Sequence, residues 1–171
     1  MKYPLEQLTT IKQKKLEEAE KVLQEKKNAL IKEQEKLEQV EKERDKVKEH
    51  RTAKLTQLRA KLDEGGSSDK IQQMKQYLKV VDEQLKQKEL KVKEQLKQVE
   101  AAEKQVEIAR LDFLKKQRDV EKMQMHRKEW EKEMKQLLEQ KEAIETDEMG
   151  SAMHTRLKRA ANSHRKRKSN G

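Results

Sequence analysis

The chain has 171 residues, of which 44% are charged, 32% hydrophobic and 2% aromatic. That is too little apolar material for a thick globular core, and four glycines with one proline are too few for a loop-rich or all-β protein. Lysine and arginine outnumber the acids by 43 to 33, a net charge of +10, in a Glu-, Lys-, Gln- and Leu-rich composition typical of long helices and coiled coils.

The opening "MKYPLEQLTT" lacks the apolar stretch of a signal peptide, and no apolar run approaches the roughly 20 residues that span a bilayer. With no cysteine for disulfides or thiolate metal sites, a cytoplasmic protein is expected. Pro4 suits a first helical turn, so helix one is expected over 3–63. Leu16, Leu23, Leu30 and Leu37 recur every seven residues, joined by Ala19, Val40 and Val47. Arg44 and Arg51 take the next seam positions, and Leu55, Leu58 and Leu62 resume the apolar pattern. The step from Arg51 to Leu55 is one residue long for the repeat, a stutter that should locally unwind the supercoil.

"DEGGSSDK" at 63–70 reads as a hairpin turn over 64–69: adjacent glycines end one helix, and Asp69 with Gln72 can form a capping box for the next. Helix two is expected over 70–148. Ile71, Leu78, Leu85, Val92, Val99, Val106, Phe113 and Val120 form one seven-residue series. Met74, Val81, Lys88, Gln95, Ala102, Ala109, Lys116, Met123, Trp130, Leu137 and Ile144 form its companion. A pattern sustained for about ten heptads excludes disorder here. Glu17–Lys21, Glu38–Lys42, Glu100–Lys104 and Asp112–Lys116 are spaced as surface pairs one turn apart.

A short linker makes the helices antiparallel neighbours, so the expected fold is all-α, a two-helix antiparallel coiled-coil hairpin with a longer C-terminal helix. At about 1.5 Å per residue it would be roughly 90 Å long. Pairing outward from the turn sets Leu62 against Ile71, Leu58 against Met74 and Val40 against Val92. Leu30 then meets Ala102, Leu23 meets Ala109 and Ala19 meets Phe113, large against small as interdigitation requires. Arg44 falls opposite Lys88, with Glu41, Glu43 and Glu89 near enough to neutralise them, and that layer should be a bending point.

By this register Leu5 reaches about Arg127 and helix one is finished. Trp130, Met134, Leu137, Leu138 and Ile144 are then an overhang, and its stripe of four, Trp130, Met134, Leu137 and Ile144, is worth about 6–12 kcal/mol if buried, at roughly 1.5–3 each. The preferred reading is a foreign protein gripping this end; residues 1–4 folding back over Trp130, or two copies pairing, are the alternatives. Gly150 is expected to stop the helix, leaving 149–171 as a flexible basic tail with at most a short, poorly amphipathic turn. After Glu148 there is no acid, and Arg156, Lys158, Arg159, Arg165, Lys166, Arg167 and Lys168 carry most of the net charge. Such a tail solubilises, or attaches to an acidic protein face, an anionic lipid or RNA. Without interleaved aromatics it offers no platform for base stacking, so no specific nucleic-acid recognition is expected.

No glycine-rich phosphate loop is present, and His50, His126, His154 and His164 are too scattered for a helical metal site. Carboxylates lie on solvated faces. Neither catalysis nor a cofactor nor a metal is expected.

The stretch "YPLEQLTTIKQKKLEEAEKVLQEKKNALIKEQEKL", 3–37, resembles the start of the type III secretion stalk proteins of the YscO/FliJ family, its chlamydial branch most. The likeness covers about 1–148 and leaves the tail out. It implies a coiled-coil stalk similar to that of rotary ATPases, whose open end enters the hexameric ring of the secretion ATPase. The other end would face the export gate protein, with secretion chaperones as further partners. Under it Trp130, Met134, Leu137 and Ile144, with Leu5 and Leu8, line the ring's sleeve, and the protein is cytoplasmic, held peripherally at the membrane-embedded apparatus. A self-associating structural rod, or an adaptor binding nucleic acid or membrane through its tail, are the competing functions.

Overall fold

The computed structural model describes residues 2–169, with side chains as far as Arg167; the Lys168 side chain lies outside the described residues. Two helices account for nearly all of it: α1, Glu6–Asp63, and α2, Ser68–Ser169. No strand occurs among the described residues, and no helix is long and apolar enough to cross a membrane. Two compact units are distinguished, residues 14–117 and residues 1–13 with 118–171.

In the unit 14–117 the cross-helix contacts fix the direction of the pairing. Arg51 meets Asp82, Glu43 meets Lys88 at 2.9 Å, and Glu33 accepts from Gln95 at 2.6 Å. One number rises as the other falls, so the helices are antiparallel, within about one turn of the expected register. Ala19, Leu23, Leu58, Val81, Val92, Val99 and Ala109 are the buried core, all at expected seam positions. Four polar seam residues, Arg44, Arg51, Lys88 and Gln95, are paired. Lys88 bonds Glu43 as foreseen, whereas Arg44 turns to its sequence neighbour Asp45 at 3.0 Å. The Gln95 amide donates to both the Glu33 carboxylate and the Glu33 carbonyl. Of the surface pairs, Glu38–Lys42 closes at 2.6 Å.

The turn is built by glycine. Gly65 has a φ of +70°, the left-handed conformation that costs any residue with a Cβ. Its N–H reaches the Leu62 carbonyl at 3.3 Å while the Gly66 N–H reaches that of Lys61 at 3.0 Å. This is a Schellman ending, which satisfies the last carbonyls of α1. The second helix begins earlier than expected, at Ser68, with the Ile71 N–H on the Ser67 carbonyl at 3.2 Å. Asp69 is therefore inside the first turn, where it meets the positive helix end, and is not the cap of a box with Gln72. At the other terminus Pro4 precedes α1: the Glu6 N–H bonds the Tyr3 carbonyl at 3.2 Å, a turn with proline at its second position.

The expected stop at Gly150 does not occur. The helix runs through it to Ser169, so the segment read as a flexible tail is helical as far as it is described. One interior glycine costs about 1 kcal/mol relative to alanine. That is too little to end a helix when no proline follows and alanine, methionine and leucine continue the pattern. Gly150 lacks the positive φ of a helix-ending glycine, which among the described residues only Gly65 has. The acid-free end also suits the negative pole of the helix dipole, which favours Arg165, Lys166 and Arg167.

Two outcomes follow for the seam. Val81 is 1% exposed and its neighbour Val80 is 54% exposed. Val81→Ala should destabilise the chain by about 1.5 kcal/mol, from two lost methylene equivalents, while Val80→Ala should be neutral or slightly stabilising in urea melts. Hydrogen bonds from Lys36 and Gln95 hold the Glu33 carboxyl below the ordinary value of 4.5, and the bond from Lys88 does the same for Glu43. Both groups are charged to lower pH in the folded chain than in the unfolded one. Their stabilisation is therefore whole above about 4.5 and lost as pH falls through the lowered values. A thermal melt followed down the acid range should show that loss, and Glu43→Gln should reduce it.

Candidate functional site

The sequence directs attention to the unit formed by 1–13 and 118–171. Its two strands of chain are again antiparallel: Lys12 bonds Asp119 at 2.9 Å, and Glu6 meets Arg127 at 3.2 Å. Val120 is buried between them. Arg127 also bonds Glu131 at 3.0 Å, one turn on. That bond, then the charge of Glu6, holds its guanidinium pKa above the ordinary value, so it is a fixed cation.

Tyr3 closes the paired region. The Pro4 turn folds it back onto α2, where it is only 4% exposed. Its ring meets Trp130 edge-on with centroids 5.4 Å apart, and lies 5.9 Å from the His126 ring. Its hydroxyl bonds His126 Nδ1 at 2.7 Å, and Arg127 stands 5.9 Å from its centroid, within cation–π range. Trp130 is thus half-buried with Tyr3 against it, the contact that the fold-back alternative anticipates, and the rest of the indole stays exposed.

The rest of the stripe divides. Leu5 and Met134 are half-buried and Leu8 is exposed on α1. Leu137, Leu138 and Ile144 are exposed, Leu137 by 44% and Ile144 by 59%. From 135 to 167 every described residue is exposed, so this length of α2 is a lone helix within its unit. High-propensity residues favour it, and Lys135 and Glu139, at 4.0 Å, add a weak pair one turn apart. Arg156, Lys158, Arg159, Arg165, Lys166 and Arg167 stand on its final turns, exposed.

The sequence reading missed two sets of residues. Tyr3 falls within the fold-back alternative but is not singled out by it, because proline marks both a helix start and a turn and the sequence does not say which. Met149, Met153 and Leu157, barest of the large apolar side chains with Met149 at 72%, were set aside by the assumed stop at Gly150. Their four-residue spacing was the available signal. No group of three or more His, Asp and Glu that could hold a metal occurs among the described residues. What this arrangement offers is surface: an aromatic-closed helix pair, then an apolar-striped single helix, then a basic end.

Comparison with known proteins agrees with this plan. A model of the YscO-like protein family matches residues 1–160. The structure of a YscO homologue, CT670 from Chlamydia trachomatis, superposes with a TM-score of 0.88 at 44% identity, covering 93% of this chain and 98% of that one. A chain in the structure of the Chlamydia pneumoniae CdsV and CdsO protein complex is 52% identical, covering 48% of this chain and 96% of that one, with a TM-score of 0.47. None of the curated proteins matches.

Trp130 is the only tryptophan, so its emission reports the Tyr3 contact directly. Tyr3→Ala should shift that emission to the red, increase quenching by acrylamide and cost about 2 kcal/mol. Tyr3→Phe should keep the emission and lose only the bond to His126. An unchanged spectrum in Tyr3→Ala would show that the ring does not cover the indole.

Proposed function

Because this chain belongs to the YscO-like protein family, and so to the type III secretion machinery, we propose that it is a non-enzymatic stalk of the export apparatus. In this reading the end bearing the overhang enters the ring of a secretion ATPase hexamer in the cytoplasm. The turn at 64–67 is left to meet the export gate protein, and secretion chaperones dock on the solvated helix faces. The protein would be held peripherally at the membrane-embedded apparatus by these contacts.

One observation carries the reading. Leu137, Leu138 and Ile144 are exposed on a helix that no longer has α1 beside it. A lone helix with an apolar stripe is the shape that a groove or sleeve accepts, through anchors spaced at one and two turns. Tyr3 and Trp130 give this surface a firm base, where Leu5, just before α1, and Leu8 on it add apolar area. Met134 bridges the covered and uncovered parts. A single helix inside a near-symmetric ring touches its subunits unequally. It would therefore favour some subunit states over others, which is how binding at one place shifts a population elsewhere.

The test is the double variant Leu137→Glu with Ile144→Glu. Its melting curve should match that of the parent, because exposed substitutions change stability by about 0.5 kcal/mol or less. Its affinity for the purified ring ATPase, by calorimetry, should fall by about thirtyfold or more, as for anchor residues at an interface. Equal affinity would refute the stalk reading. If the variant instead dissociates a dimer in sedimentation equilibrium, the overhang is a self-association surface and the protein is a structural rod.

A further inference from the structure

The continuation of α2 past Gly150 changes what the last turns are. On a helix of about 100° per residue, Met149, Met153 and Leu157 follow each other with only about 40° of drift, and Ala160 falls among them. Arg159 stands roughly 120° to one side of that line, and Lys158 and Arg165 roughly 120° to the other. The segment is therefore amphipathic over 149–160, with a narrow apolar face that Arg156 borders and that His164 and Arg167 end, and with cations on both flanks of a polar face. No acid interrupts it after Glu148. This apolar face is also turned by roughly a third of a circle from the Trp130, Met134 and Leu137 stripe, so one docking surface cannot continue straight into the other.

We propose that residues 149–169 form a binding element for an anionic lipid surface, on which the helix lies flat with Met149, Met153 and Leu157 in the boundary between headgroups and acyl chains. The chemistry favours this occupant. Cations alone would serve any polyanion, and a nucleic-acid duplex would have no use for the apolar line. A bilayer uses both, because long basic side chains lie along apolar surface while their charged ends reach the phosphates. Aromatic residues are absent and the apolar face is short, so charge supplies most of the attraction and hold is reversible. This element does not rest on the stalk reading, since it uses different residues on a different face.

Flotation of the full chain with phosphatidylcholine vesicles, with and without about one-third phosphatidylglycerol, tests it. The chain should float with the anionic vesicles only, and less so as salt rises. Lys158→Glu, Arg159→Glu and Arg165→Glu together should reduce partitioning on the order of a hundredfold. Met149→Gln, Met153→Gln and Leu157→Gln together keep the charge and should still reduce it roughly tenfold. Circular dichroism should show both variants as helical as the parent. If the glutamine variant floats as the parent does, the apolar face is idle and the proposal is overturned. It is also overturned if the chain stays unfloated while duplex DNA retains it, which would make the segment a nucleic-acid element.

Discussion

Each helix of this protein has one partner at most, and everything else follows from that restriction. A side chain in a two-helix seam is covered from one direction, so few residues are fully enclosed and Val81 is the extreme case. Alanines and valines predominate among those that are, because a narrow seam rewards small volume opposite leucine. The same narrowness lets Gln95, Lys88 and Arg44 occupy seam positions without penalty. Each reaches a charge or carbonyl at the edge, and no buried side-chain polar atom lacks a partner among the described residues.

Much of this was legible because the repeat is long. A heptad pattern that persists fixes which face is inward, and an inward face read outward from a two-glycine turn fixes which residues oppose each other. Periodicity carries no such redundancy at the ends. Tyr3 belongs to no repeat, and its place over Trp130 comes from the Pro4 turn. Gly150 is a single residue whose effect depends on neighbours over two turns, and it differs from Gly65 in two respects. Gly65 has a second glycine after it and a positive φ; Gly150 has Ser151, Ala152 and Met153.

The overhang therefore differs in kind from what a shorter helix would have been. It carries three consecutive surfaces on one axis: the covered aromatic pair, the bare leucine and isoleucine stripe, and the basic amphipathic end. Because the apolar line rotates between the second and third, partners of unlike character can address them separately. Propensity and the match of cations to its final turns favour the helix along its own length.

The turn at Gly65 also dictates an order of events during synthesis. Leu58 finds its opposite number almost as soon as the second helix begins to emerge from the ribosome, and pairing can zip away from that point. Tyr3 has its place only once Trp130 has been made, on the order of ten seconds later at ordinary rates of elongation. Tyr3 thus waits for a partner made long after it, whereas Leu58 waits for one made almost at once.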